Sequence, residues 1–331
     1  MLLKLFKRTG PGAISLIILT LLAVWASAFI ILRNRFSLYF DLDPMPLYGL
    51  VSSLIGTHPL PGIFFSLILL TTMAFLMVGL NTQLVFINER TFLPAIIYIL
   101  LSGLFPQYQL MNPAVFAAMF LMLAIKRIMD SYRVAGTAYS FFDAGILIGI
   151  GSLFYANLIW FGFLVIIGIF LLRTGNLKEI AISFIGLVTP YIITLGFYYV
   201  LGKDPNDLFN AFAHNLFGKT SVYVFTSLTI VAIVFAGVST AISIFYLITV
   251  MDSKKISSRK TFILLLWLFF ISLTVYFAVP SATVEIIWLA GIPVSYFLSH
   301  YFVFIRRKLV PEIMFSVFFI IVILIQILYI Y

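Results

Sequence analysis

Residues 13–32 read AISLIILTLLAVWASAFIIL, twenty positions without one charged side chain. A bilayer-spanning helix needs about 20 predominantly apolar residues, so this stretch predicts a transmembrane helix. The rest of the chain has the same character, because 63% of its 331 residues are hydrophobic and only 9% are charged. Soluble domains are close to half apolar and about a quarter charged. The composition therefore predicts an all-α, polytopic integral membrane protein and excludes a soluble enzyme, a disordered chain and a disulfide scaffold.

Uncharged apolar windows along the chain predict about eleven transmembrane helices. These windows are residues 13–32, 61–87, 92–105, 113–125, 141–155, 157–172, 180–201, 222–250, 261–279, 284–304 and 311–330. The third to sixth windows are short, which indicates tilted helices or broken hairpins. The chain contains no Cys, which excludes disulfides, thiol catalysis and Cys-ligated metals.

The positions of the basic residues predict the orientation of these helices. With the N-terminus inside, sixteen of the twenty Lys and Arg residues fall in inner segments and four in outer segments. This distribution follows the positive-inside rule, so we expect the N-terminus inside and the C-terminus outside, in a bacterial inner membrane. The net charge of +9 then reflects topology rather than nucleic-acid binding. Residues 26–28 (Ala-Ser-Ala) could end a cleaved signal, but the apolar run continues to Leu32, which favours an uncleaved helix.

The first outer loop is the most informative segment, and residues 33–48 read RNRFSLYFDLDPMPLY. Asp41 and Asp43 could share a divalent cation, or one of them could act as a general base. In the simpler alternative, the two carboxylates only cap or solvate the loop. Residues 47–55 are apolar but too short to span a bilayer, so we expect a short helix along the interface.

A second sizeable outer loop, the fourth in chain order, covers residues 202–221. Leu208 and Leu216 belong to an apolar series at helical spacing, which predicts an amphipathic helix in the membrane surface. Asp207 and His214 lie seven residues apart and therefore share one face of that helix. The face could contact a substrate head group or simply face water.

Ionisable residues do not occur near the middle of any predicted span. Such residues usually mark ion pathways and proton relays, so their absence argues against a proton- or ion-coupled transporter. His300 falls at the inner end of its span, close to a basic cluster, and we expect it at the interface. The polar residues of the outer face are therefore the candidates for any chemistry.

Two further segments contain short motifs of glycine, proline and aromatic residues. Within the predicted hairpin of residues 94–127, residues 98–106 read YILLSGLFP and lead to Asn112-Pro113. Residues 144–151 read AGILIGIG, and a Tyr-Ala-Asn turn follows at residues 155–157. Together with the acidic pair of the first outer loop, these motifs resemble the polytopic, polyprenyl-phosphate-sugar-dependent glycosyltransferases of the fold-C superfamily.

The resemblance covers residues 1–200, where it implies a seven-helix module, and leaves residues 201–331 as an outer amphipathic segment with four further helices. It implies transfer of a sugar from a polyprenyl-phosphate donor to a lipid or glycan acceptor on the outer face of the inner membrane. Asp41 or Asp43 would act on the acceptor as a base or help to hold a divalent metal ion. The residues that would bind the substrate are Arg33, Arg35, His58, Lys203, His214, Lys219 and Glu285.

The sequence also departs from the family pattern. Leu42 separates two acidic residues that are usually adjacent in the family, and a soluble C-terminal domain is not expected here. Because a fold does not settle a function, two alternatives stay open beside the enzyme. One is a non-catalytic membrane subunit of an envelope-assembly or export complex, and the other is a lipid or glycan flippase. Membrane lipids are expected partners in each case, and nucleic acid is not.

Overall fold

The computed structural model is all-helical in the residues that it describes. These are residues 2–7, 10–31, 43–55, 59–84, 87, 89–132, 139–173, 175–219, 223, 225–306 and 308–330. Fourteen α-helices lie within them, and no β-strand does. The helices are α1 (Leu2–Lys7), α2 (Pro11–Ile30), α3 (Pro46–Ile55), α4 (Pro59–Leu84), α5 (Leu93–Ser102), α6 (Pro113–Asp130), α7 (Ser140–Ser152), α8 (Gly162–Leu172), α9 (Leu177–Val200), α10 (Pro205–Phe217), α11 (Ser227–Thr249), α12 (Ile256–Ala278), α13 (Ile287–Phe304) and α14 (Leu309–Ile330).

A helix occupies each of the eleven windows that the sequence predicts as spans. Within the described ranges, seven helices are long and apolar enough to cross a bilayer: α2, α4, α9, α11, α12, α13 and α14. The helices α5 and α6 are joined through the 3-10 segment Pro106–Gln109, and α7 and α8 through the 3-10 segment Ala156–Phe161; we call each joined pair a hairpin. The predicted surface helices are also present, as α3 and α10.

The centre of the molecule is formed by α5 and α13. Every residue of α5 is buried, and the hydroxyl of Tyr98 donates a hydrogen bond to the carbonyl of Trp288 at 2.9 Å. The hydroxyl of Tyr296 in α13 donates to the carbonyl of Met77 in α4 at 2.7 Å. Residues from both sides of the predicted boundary at residue 200 therefore share one core, and the boundary itself stays a prediction.

Glycines bring α7 and α9 into close backbone contact. A Cβ atom on Gly145 would collide with the carbonyl of Ser183, and one on Gly186 would collide with the carbonyl of Phe142. Small residues of this kind allow membrane helices to approach each other closely. This contact fixes the position of α9, which continues through a short turn into α10.

One end of the molecule carries a basic surface, which we call the basic face. The ammonium of Lys7 donates to the carbonyl of Val303 at 3.2 Å, so the end of α1 lies beside the end of α13. The hydroxyl of Thr261 lies 3.6 Å from the sulfur of Met129, which places the start of α12 beside the end of α6. The basic residues in and around these segments include Lys7, Arg127, Lys254, Lys255, Arg259, Lys260 and Arg306, and the acidic residues there include Asp130 and Asp252.

The other end of the molecule, which we call the opposite face, is formed by α3, α10 and the turns of the two hairpins. The amide of Leu47 donates to the carbonyl of Leu153 at 3.1 Å, and the hydroxyl of Tyr48 donates to the carbonyl of Met111 at 2.8 Å. These bonds fix the start of α3 to both hairpin turns. The last residues before α3 therefore have a defined position, close to α10.

Candidate functional site

A carboxylate and an imidazole meet on the opposite face. Nδ1 of His214 lies 2.7 Å from Oδ2 of Asp43, and both side chains are about half exposed. The two residues are 171 positions apart in sequence. The fold therefore joins the first outer loop to the amphipathic helix through the Asp43–His214 pair.

Asn215 holds the backbone of Asp43 in place beside the imidazole. Its Nδ2 donates to the carbonyl of Asp43 at 2.5 Å, and its Oδ1 lies 3.5 Å from the amide of Asp43. Two residues further on, Met45 is fully buried in an apolar cluster with Leu208 and Leu216. The position of the carboxylate is thus set by a side-chain amide and by apolar packing.

The local sequence of α10 explains why His214 and Asn215 face this loop. The side chain of Asp204 caps the helix by accepting from the amide of Asn206 at 2.9 Å. Before this cap, Gly202 has a φ of 68°, a left-handed conformation that glycine adopts without strain. Leu208 and Leu216 of α10 pack into a buried apolar cluster, next to which Asn215 is buried, whereas His214 is half exposed.

An aspartate beside an imidazole is an arrangement suited to proton transfer. A carboxylate that accepts from Nδ1–H holds the ring in the tautomer whose Nε2 can take a proton, and it stabilises the imidazolium that results. Within the described part of the chain, Nε2 of His214 has no hydrogen-bond partner. The pair can therefore act as a general base at a surface that a substrate can reach.

The other predicted site residues are distributed unevenly around this pair. Lys203 precedes α10, with its ammonium 5.5 Å from the ring centre of Tyr198, and Lys219 follows α10 as an exposed residue. The candidates Arg33, Arg35, Asp41 and His58 lie outside the described residues. The structure therefore brings Asp43 and His214 together and places one lysine at each end of α10.

Glu285 lies in a different environment, in the turn before α13. It is buried, with 2% of its surface exposed. Burial and the negative charge of Glu285 raise the pKa of Tyr108 to about 12, although a hydrogen bond with Thr283 opposes the shift. The hydroxyl of Ser281 lies 3.0 Å from the carbonyl of Leu216, so the turn that leads to Glu285 contacts the end of α10.

An apolar cavity of about 300 Å³ begins beside Glu285 and lies between α11, α12 and α13. Val284 and Ile286, the two neighbours of Glu285, line it. Phe105 and Phe225 also line it and belong to an aromatic cluster with Tyr223, in which ring centres are 5.0 to 6.5 Å apart. Such a cavity suits an alkyl or prenyl chain.

The described residues do not provide a three-ligand metal centre. No group of three or more His, Cys, Asp or Glu side chains that could hold a metal ion occurs among them. Asp43 and His214 supply two donor groups, and the second carboxylate of the predicted pair, Asp41, is not described. A divalent metal on Asp41 and Asp43 therefore stays a prediction.

Sequence reasoning missed Asn215 and the burial of His300. Asn215 lies seven residues after Leu208, on the buried side of α10, and a polar residue at such a position indicates a hydrogen-bond partner. The position of His300 at the membrane interface stays a prediction, but the sequence did not indicate that its side chain is fully buried within the protein. The rings that bury it come from three different helices, so local sequence gave no signal.

One family model matches residues 45–331, and its description is a family of unknown function (DUF6427). No curated protein and no solved structure matches the chain. The match begins two residues after Asp43 and includes His214, Asn215 and the whole of α13. On the strength of this match over most of its length, the chain belongs to the DUF6427 family.

Proposed function

We propose that the chain is a membrane glycosyltransferase, which transfers a sugar from a polyprenyl-phosphate donor to a hydroxyl group of a lipid or glycan acceptor. The observation that carries the proposal is the Asp43–His214 pair, a base and its orienting carboxylate on a reachable surface. The apolar cavity beside Glu285 supports it, because the donor has a long prenyl chain that needs an apolar site.

In this mechanism, Nε2 of His214 takes the proton of the acceptor hydroxyl while the hydroxyl oxygen attacks the anomeric carbon of the donor sugar. The bond between that carbon and the phosphate oxygen breaks, and polyprenyl phosphate leaves with the bonding electrons. Asp43 orients the ring and stabilises the imidazolium. The proposal thus assigns the base to His214 and makes Asp43 a positioning residue.

Cations near α10 would neutralise the leaving phosphate. Lys203 and Lys219 are at the two ends of this helix, and both are exposed. Arg33 and Arg35 precede the Asp43 loop in sequence and are candidates for the same role. Lysine and arginine side chains form strong charge-assisted hydrogen bonds to phosphate, which stabilise charge that develops on a leaving group.

The proposal includes an orientation. With the basic face in the cytoplasm, the Asp43–His214 pair lies on the outer side of a bacterial inner membrane, and the C-terminus does as well. The four helices of the two hairpins would join the seven long helices to give about eleven membrane-embedded helices. Because the chain has no native Cys, cysteine labelling can test this orientation directly.

A transfer assay with matched variants tests the enzymatic role. The purified protein is incubated with undecaprenyl-phosphate sugars that carry radiolabelled mannose, glucose or aminoarabinose, and with a bacterial lipid extract as acceptor. We expect His214→Gln to lower the transfer rate by about 100-fold or more, the usual contribution of a general base. Asp207→Asn is the control, because it removes an exposed carboxylate from the same helix. Full activity of His214→Gln would refute the assignment.

A non-catalytic membrane subunit is the second candidate. It is favoured by the bonds of Asn215, which hold the main chain of Asp43 and would form a structural attachment even without chemistry. A subunit of this kind would transfer no sugar in the assay, and a partner protein would co-purify with it. Co-purification of the partner would then depend on Asn215 and not on the ring nitrogen of His214.

A further inference from the structure

A second cavity, whose lining is more polar than that of the first, lies on the basic face, where α11 and α13 end and α12 begins. Its volume is about 400 Å³, and its lining includes Ser253, Lys254, Lys255, Ser258, His300 and Phe304. The three helices around it are candidate membrane spans. The cavity is therefore at the depth where lipid head groups meet the protein.

Two ammonium groups give this cavity a positive charge. The ammonium of Lys254 lies 4.9 Å from the ring centre of Phe304 and 5.5 Å from that of Phe262, and burial lowers its pKa. None of the described carboxylates lies within ion-pair distance of Lys254 or Lys255. The nearest acidic residue in sequence, Asp252, points to Arg259, with 3.5 Å between Oδ1 and Nη1.

The start of α12 adds backbone donors to the same cavity. Lys255 immediately precedes this 23-residue helix at the N-cap position, where no side chain forms a capping hydrogen bond. The first N–H groups of a helix have no partner within the helix and carry a partial positive charge. Helix N-termini of this kind bind phosphate and other anions.

His300 supplies the independent observation that points to a ligand. Its side chain is fully buried and lines the cavity. Neither ring nitrogen has a hydrogen-bond partner within the part of the chain that the structure describes. Buried polar atoms are normally hydrogen-bonded, so a donor left without a partner beside a cavity indicates an absent acceptor.

We propose that this cavity binds a phosphate group, and that the phosphate belongs to a membrane lipid. The ammonium groups of Lys254 and Lys255, the first N–H groups of α12 and a ring N–H of His300 would donate to its oxygens. The lipid chains would lie along the apolar surfaces of α11 and α12. The site is on the face opposite the Asp43–His214 pair, so it does not depend on the proposed sugar transfer.

Native mass spectrometry of the purified full chain in detergent tests the proposal with three probes. Dioctanoyl phosphatidic acid carries the phosphate and the chains, dioctanoylglycerol carries the chains alone, and inorganic phosphate carries the anion alone. We expect phosphatidic acid to bind at least about tenfold more tightly than dioctanoylglycerol, since hydrogen bonds to charged groups are strong. Inorganic phosphate is expected to compete weakly.

Variants then locate the binding site. Lys254→Gln combined with Lys255→Gln should weaken phosphatidic acid binding about tenfold. His300→Phe should weaken it while keeping the ring packing, which guards against a loss through misfolding. Lys260→Gln is the matched control, because its ammonium lies 5.1 Å from the ring centre of Tyr132 and outside the cavity lining.

Three results would overturn the proposal. Equal binding of dioctanoylglycerol would show that only the chains matter. An undiminished affinity in the Lys254→Gln, Lys255→Gln double variant would place the phosphate elsewhere. Equal affinities for inorganic phosphate and phosphatidic acid would mean that the site takes a free anion and not a lipid.

Discussion

His214 and His300 belong to opposite faces of the same molecule, and their surroundings differ in ways that separate two kinds of site. His214 is half exposed and hydrogen-bonded to Asp43. His300 is fully buried, and its ring centre lies 4.9 to 6.0 Å from those of Tyr246, Phe262 and Phe304. The first imidazole has its partner already, and the second has none among the residues that the structure describes.

The exposure of His214 and the burial of His300 favour different functions for the two rings. Even with the imidazole protonated, an exposed ion pair contributes only about 0.2 to 1 kcal/mol to stability, so the Asp43–His214 pair can change partners or protonation at little cost. A buried polar group without a hydrogen bond costs about 1 to 3 kcal/mol, so His300 opposes folding unless something compensates it. We therefore associate the exposed pair with chemistry and the buried ring with binding.

The largest expected effect concerns the side of the membrane on which each face lies. Lys178→Cys places a single thiol at the start of α9, and Asn206→Cys places one at the start of α10, just beyond the other end of α9. The helix α9 is long enough to cross the bilayer. We expect an impermeant maleimide to label Asn206→Cys in intact spheroplasts, and Lys178→Cys only after permeabilisation, because the basic face should be cytoplasmic. The measurement is a gel shift of the labelled protein.

The outcome of that labelling is close to all-or-none. The reverse pattern would place the Asp43–His214 pair in the cytoplasm and would exclude sugar transfer on the outer side. Labelling of both thiols in intact spheroplasts would mean that α9 does not cross the membrane. Either result would refute the proposed orientation, although the structural difference between the two faces would remain.

The second effect concerns the stability contributed by the ring of His300. His300→Ala removes a fully buried ring that packs against aromatic neighbours, and we expect a loss of about 3 kcal/mol in the free energy of unfolding. His300→Phe keeps the packing and removes the two unpartnered nitrogens, so its stability should equal or exceed that of the wild type. Thermal denaturation in lipid-free detergent measures both variants.

His214→Ala provides the contrast for these measurements. Its half-exposed side chain should contribute less than about 1 kcal/mol. A large destabilisation in His300→Phe, comparable with that of His300→Ala, would show that the ring nitrogens are already satisfied in the folded protein. The distinction between a partnered and an unpartnered histidine would then be wrong.

The sequence predicted helices and single residues well, and contacts between distant segments poorly. The apolar windows located eleven helices, and the spacing of Leu208 and Leu216 located α10, because both signals are local. Asp43 and His214 were each predicted as site residues, but nothing in one sequence links positions 171 residues apart. The burial of His300 could not be predicted for the same reason, since Tyr246 and Phe262 reach it only through tertiary packing.

The smallest effect is the coupling between Asp43 and His214 themselves. A double-mutant cycle with Asp43→Ala, His214→Ala and the double variant should give a coupling energy of about 0.5 kcal/mol at low salt. Where the imidazole is protonated, the coupling decreases in high salt because exposed charges are screened. Asn215→Ala should cost more than either single change, since it frees the amide and the carbonyl of Asp43. Thermal denaturation at two salt concentrations measures the cycle.

The size of this coupling distinguishes a catalytic role of the Asp43–His214 pair from a structural one. A weak, salt-dependent coupling leaves the imidazole free to exchange its proton with a substrate, as the proposed base must. A coupling above about 2 kcal/mol that is insensitive to salt would indicate a buried, structural ion pair, contrary to the half-exposed geometry. Asp43 and His214 would then serve to fasten the first outer loop to α10, and the function of a non-catalytic subunit would be favoured.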